Sequence, residues 1–137
     1  MPYELLDHVA DARFRATGPT LEAALADAVE AFADICDTDP DREAPETATV
    51  SAAARDREAL LFDFLGELIL VQDVDGEAVV RAESVAVEET DDGYALEATV
   101  RVAPIDRALF DVKSPTYNGM TIEERDGEWV VEATLDI

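Results

Sequence analysis

The chain has 137 residues, 48% of them hydrophobic and only one a cysteine, which suits one self-sufficient domain and excludes both a disulfide scaffold and a disordered chain. Thirty-three Asp and Glu against ten Lys and Arg leave a formal charge of −23; no basic stripe exists to neutralise phosphates, so direct nucleic-acid binding is not expected. Met1 to Asp7 lacks the basic and apolar regions of a signal peptide, and apolar runs such as Leu68–Val71 are too short to span a bilayer, so no membrane association and a cytoplasmic location are expected.

A first strand pair is predicted over Tyr3–Leu6 and Asp11–Thr17. In the second stretch Ala12, Phe14 and Ala16 alternate with Asp11, Arg13, Arg15 and Thr17, the period of a half-buried strand. Gly18-Pro19 breaks it, and Thr20 is a natural N-cap for a helix running to about Cys36. Leu21, Leu25, Ala28, Phe32 and Ile35 form the apolar stripe of that helix. A polar loop with Pro40 and Pro45 leads to a short strand over Thr47–Ala53. Asp56 can cap a second helix that buries Leu60, Leu61, Phe64, Leu65 and Leu68 and stops at Gly76.

The rest reads as strands. Ala78–Val87 is extended, Asp91-Asp92-Gly93 turns the chain, and Tyr94, Leu96, Ala98, Val100 and Val102 alternate after it. Ile105–Asp111 is a connection. A last hairpin pairs Thr116–Glu124 with Glu128–Ile137 across Arg125-Asp126-Gly127. No repeat or linker divides the pattern. The expectation is one α+β domain over 1–137, with two helices packed on a mostly antiparallel β-sheet.

Most standard reaction centres are missing. The glycines are scattered at turns, with no phosphate loop, CxxC pair or HExxH. A serine nucleophile would need His8, the sole histidine, as its base. Cys36 lies on the apolar stripe four residues after Phe32, where a thiol acts as a small hydrophobe. Three segments stand apart. Asp7-His8-Val9-Ala10-Asp11 gathers two carboxylates and the only imidazole, although in so acidic a chain a solvated turn is the plainer reading. Lys113-Ser114-Pro115-Thr116-Tyr117-Asn118-Gly119-Met120 holds the only lysine beside nine arginines, its plainer reading being an ordinary strand entry. In the last strand Trp129, Val131, Ala133 and Leu135 share one face, so Asp136 points away from the apolar row, as Asp11 does in its own strand. If those strands are neighbours, Asp11, Asp136 and the carboxylate of Ile137 converge. Oxygen-only ligands of that kind suit a hard divalent cation, with water completing the shell.

These segments resemble the archease family. Asp7-His8-Val9-Ala10-Asp11 is similar to its D-H-T-A-D signature, Thr20-Leu21-Glu22-Ala23-Ala24 to its T-L-E-E-A helix start, and Asp63-Phe64-Leu65-Gly66-Glu67-Leu68 to its D-[WF]-L-N-E-L stretch. Lys113 to Asn118 resembles K-A-[VI]-T-[YW]-H, and Leu135-Asp136-Ile137 the L-D-[VI] ending. The motifs run through the whole chain in the family's order. Val9 departs from the family's threonine and Asn118 from the histidine of many relatives.

The resemblance implies an accessory protein rather than an enzyme. Such proteins assist the RNA-splicing tRNA ligase, promoting its GTP-dependent guanylylation and turnover in tRNA splicing. It implies a divalent metal at Asp11 and Asp136 (calcium or magnesium, with manganese a third candidate). Asp7, His8, Lys113 and Tyr117 become candidate partner contacts. The remaining acidity resembles the solvating coat of proteins from extreme halophiles, in which salt screens self-repulsion. Two alternatives stand beside this reading: a chaperone-like, metal-independent protein-binding module, and a metal-dependent hydrolase.

Overall fold

The computed structural model describes residues 3–6, 11–105, 109 and 112–137. Chain order is β1 (Glu4–Leu6), β2 (Asp11–Gly18), α1 (Leu21–Ile35), β3 (Glu46–Ala54), α2 (Arg57–Asp75), β4 (Glu77–Thr90), β5 (Gly93–Pro104), β6 (Ser114–Arg125) and β7 (Glu128–Asp136). The α+β class and the order of elements agree with the sequence reading. The single sheet does not. The strands form two sheets, β1-β2-β7-β6 and β3-β5-β4, every pairing antiparallel. Period-2 alternation shows which face of a strand is buried but not which strand lies beside it, so it could not separate one sheet from two.

Local chemistry sets both helices. Thr20 is extended at φ −131°, and its hydroxyl accepts from the Ala23 N–H at 3.1 Å. Asp56 does the same for α2, accepting from the Ala59 N–H at 2.8 Å. Each cap is worth about 1 kcal/mol. Gly76 ends α2 at φ 68°, a left-handed conformation that costs glycine little, and its N–H returns to the Val71 carbonyl. The final hairpin turns at Asp126 (φ 53°) and Gly127 (φ 80°) between the paired Arg125 and Glu128; two residues at positive φ match the twist of the flanking strands.

The helices join the two sheets. α1 packs chiefly on β2 and β4, and α2 on β3 and β6, so each helix touches both sheets. Between them lies one core built from Phe14, Phe32, Phe64, Leu25, Leu65 and Leu135, all fully buried. Cys36 is buried in it, as its place on the α1 stripe predicts. Arg81 ties down the loop after α1 by donating to the carbonyls of Arg42 (2.7 Å) and Pro40 (3.4 Å).

Two irregularities shape the surface. β6 takes five steps, Thr116 to Thr121, where β7 takes two, Thr134 to Glu132, so Tyr117–Met120 stands out of the ladder as a bulge. Gly119 within it has φ +70°, and a Cβ there would lie 3.1 Å from the Arg13 guanidinium. The second irregularity is in α2, whose far side is also apolar: Leu70 and Val74 are exposed although the helix already buries Leu60, Leu61, Phe64, Leu65, Leu68, Ile69 and Val71.

Candidate functional site

β7 is an inner strand of its sheet, flanked by β2 and β6. Its register sets Asp136 directly opposite Asp11 on one side and Ser114 on the other. Directly opposed residues of an antiparallel pair hold their Cβ atoms about 4.5–5.5 Å apart, and like charges so placed repel. The two aspartates, 125 positions apart in sequence (136 − 11), thus meet at one end of the four-stranded sheet. Both are half-buried, as is Ile137, whose side chain packs against the core. The Lys113 N–H donates to the Asp136 carbonyl at 2.8 Å, which fixes the start of β6 beside the pair while the lysine side chain is exposed.

The next rows on this outer face are polar too. Arg13, Thr134 and Thr116 form one row, and Arg15 and Glu132 pair in another. Arg15 Nε donates to Glu132 Oε1 at 2.7 Å and its Nη1 to Glu4 Oε2 at 3.2 Å, while Arg13 Nη2 lies 3.5 Å from Glu132 Oε2. Hydrogen bonding and charge from Glu132 hold the Arg15 guanidinium firmly protonated. The arginines and the β6 bulge close over this face, so Thr134 is 1% exposed and Glu132 only 9%. Within it Thr134 Oγ1 and Arg13 Nε are buried with no hydrogen-bond partner among the described residues. Among the described residues the metal-ligating atoms nearest the pair are oxygens, two carboxylates and, in the next row, the buried Thr134 hydroxyl, with the Arg13 guanidinium beside it. That chemistry fits a hard divalent ion. Among the described residues no group of three His, Cys, Asp or Glu side chains gathers to hold a metal, so further ligands would have to be water or backbone oxygen.

The other candidate residues are placed unevenly. Asp7 and His8 lie outside the described residues. Tyr117 is 56% exposed and stands on the β6 bulge, its ring stacked on Phe62 of α2 with centroids 4.5 Å apart and planes 8° from parallel. The lysine and the tyrosine therefore present different surfaces, one at the sheet end and one against α2. Sequence reasoning passed over Arg13, Arg15, Glu132 and Thr134. Arg13 and Arg15 alternate with the apolar residues of β2, but their charge partner is more than 115 positions away, beyond any local pattern.

Residues 3–137 match the archease protein family. The chain belongs to the archease family. Curated archeases similar to it include those of Methanopyrus kandleri, 34% identical with all of both chains covered, and Pyrococcus abyssi, 33% identical with 98% of each chain covered. The solution structure of protein 1598 from Methanobacterium thermoautotrophicum shares the fold at a TM-score of 0.82 and 30% identity, covering 99% of each chain. A crystal structure from Thermotoga maritima, described as an archease and possible chaperone, aligns at a TM-score of 0.59 over 96% of this chain and 94% of its own, with 17% identity. No helix among the described residues of this archease is long and apolar enough to cross a membrane.

Proposed function

We propose that this archease is an accessory protein of the RNA-splicing tRNA ligase, promoting its GTP-dependent guanylylation and turnover, with a divalent metal held between Asp11 and Asp136. The observation that carries the reading is the register itself: two carboxylates opposed at a sheet end repel each other, and a cation between them reverses the sign of that interaction. Calcium or magnesium suits the oxygen donors, and manganese is a third candidate. When bound, the ion would supply positive charge between the two carboxylates. The chain's own residues supply the frame. Asp11 and Asp136 orient their carboxylates from paired strands, the Lys113 N–H fixes the neighbouring strand on Asp136, and the arginines neutralise Glu132 on the same face. Docking of this sheet end against the ligase would favour the ligase conformation competent to react with GTP. A net charge of −23 accords with a helper that leaves the RNA to its partner.

The test is a multiple-turnover guanylylation assay of the cognate ligase in high salt, with and without this protein, alongside calorimetric titration with Mg²⁺, Mn²⁺ and Ca²⁺. Stimulation that disappears together with metal binding in Asp11→Ala and Asp136→Ala supports the reading. Stimulation that survives both substitutions removes the metal from it. The second reading, a metal-independent chaperone-like module, draws on the description of the Thermotoga maritima relative as a possible chaperone and on the exposed Leu70 and Val74 of α2. Suppression of ligase aggregation by the Asp11→Ala protein, without any effect on guanylylation, would favour it.

A further inference from the structure

β3 is an edge strand: it pairs with β5 on one side, and no described strand pairs with its other side. Exposed edges are normally blunted by lysine, proline or a covering element, because their free N–H and C=O groups template further pairing. The Glu46–Ala54 strand carries neither lysine nor proline, and its C-terminal half includes Ser51-Ala52-Ala53, a run of small residues. Two hollows flank that stretch. One, of about 370 Å³, lies between Ser51–Ala53 and α2, with Phe62, Gly66 and Leu70 as its apolar wall and Asp63 and Glu67 beside them. The other, of about 640 Å³, spreads from the same three residues across the sheet over Ala86 and Ala95, with Glu88 and Glu97 in its lining. Gly66 faces open space, where a Cβ would meet nothing within 4 Å, so packing within this chain does not require glycine there.

We infer that the β3 edge receives an extended, lysine- or arginine-bearing segment of a partner protein as an added strand. Successive side chains of such a strand alternate between the two hollows. Each hollow offers an apolar floor and two carboxylates, so apolar and cationic residues suit both faces of the incoming segment. The charge selects the occupant. Two copies of this chain joined at their β3 edges would bring eight of these carboxylates together (four from each) and two charges of −23, whereas a cationic segment neutralises them. The inference rests on the reading that this archease acts on a protein partner. It adds a contact surface built on β3 and α2, apart from the aspartate pair on β2 and β7.

The test uses the full chain and a fluorescein-labelled peptide repeating two valines and two lysines, so that each face of the extended peptide carries both. Fluorescence anisotropy is expected to show saturable binding, with hydrogen-exchange protection appearing in 46–54. A peptide of the same charge with proline in place of every valine, which removes N–H donors from both edges of the strand so that neither can complete a ladder, is expected to bind at least about tenfold more weakly. Gly66→Leu fills the α2 hollow with a good helix former, and Asp63→Lys reverses an exposed rim charge; each is expected to weaken the valine–lysine peptide by about tenfold. Equal binding of the two peptides, or no protection in 46–54, overturns the inference and reduces the effect to charge alone. Ligase stimulation that persists in Gly66→Leu while peptide binding fails leaves the proposed function standing without this surface. Peptide binding as expected with no ligase stimulation by the unaltered protein leaves the surface standing and removes the ligase.

Discussion

Asp27 shows how a single side chain can set a pH dependence that its sequence neighbours do not announce. It sits on the buried side of α1 at 5% exposure, with one oxygen accepting from the Thr17 N–H at 3.1 Å and the other buried without a hydrogen-bond partner among the described residues. Burial raises its pKa from 3.8 to about 6, a shift that the Thr17 hydrogen bond opposes and the nearby Glu30 charge reinforces. The folded state therefore holds this proton more tightly than the unfolded chain does. The stabilisation is fully present below the unfolded pKa and is lost as pH rises through about 6. Relative to Asp27→Asn, the unaltered protein is expected to lose roughly 2–4 kcal/mol between about pH 4 and about pH 7.5. Urea melts of both proteins across that range check it, and parallel curves would refute it. Glu30 is shifted upward as well, by burial first and then by Asp41. The side of its own strand on which each of Asp11 and Asp136 falls was readable at this scale, because each strand's period assigns its own faces.

At the scale of elements, two glycines with opposite surroundings separate backbone need from chance. Gly18 ends β2 where α1 begins, and a Cβ there would lie 2.6 Å from the Ala24 nitrogen and 2.8 Å from the Ala23 carbonyl carbon. Gly66, mid-helix, has open space. Gly18→Ala is expected to cost more than about 2 kcal/mol, because backbone must move, whereas Gly66→Ala is expected to stabilise by about 0.5–1 kcal/mol through helix propensity. Chemical denaturation of the two variants gives both signs at once. The caps, the left-handed Gly76 and the last turn were legible in the sequence, since each depends on residues within a few positions. The β6 bulge was not. Its stacking of Tyr117 on Phe62 joins residues 55 apart (117 − 62), and no periodicity reaches that far.

Across the whole molecule the net charge of −23 opposes compaction, and among the described residues arginine pairs on both sheets, such as Arg15–Glu132 and Arg101–Glu83, answer it locally. Screening shortens the reach of that repulsion from about 10 Å at about 0.1 M salt to about 3 Å at about 1 M. The urea midpoint is expected to rise between those concentrations with the slope of the transition unchanged, as holds when stability rather than compactness alters. A midpoint insensitive to salt would mean that the acidic coat is already balanced within the fold. Two sheets joined through two helices leave β3 as an edge, and this arrangement places the aspartate pair and the α2 groove on separate elements.

The sequence by itself determined the element order, the helix caps, the buried faces and the acidic coat, because each follows from residue types at short, regular spacing. It also placed Asp11 and Asp136 on the polar sides of their strands. Only the tertiary structure decided that β2 and β7 are partners, in the register that sets these two aspartates opposite each other. Only it divided the strands into two sheets. Strand pairing is a long-range choice, made when both faces of each strand and both helices find cover together, and a period of two carries no record of the neighbour.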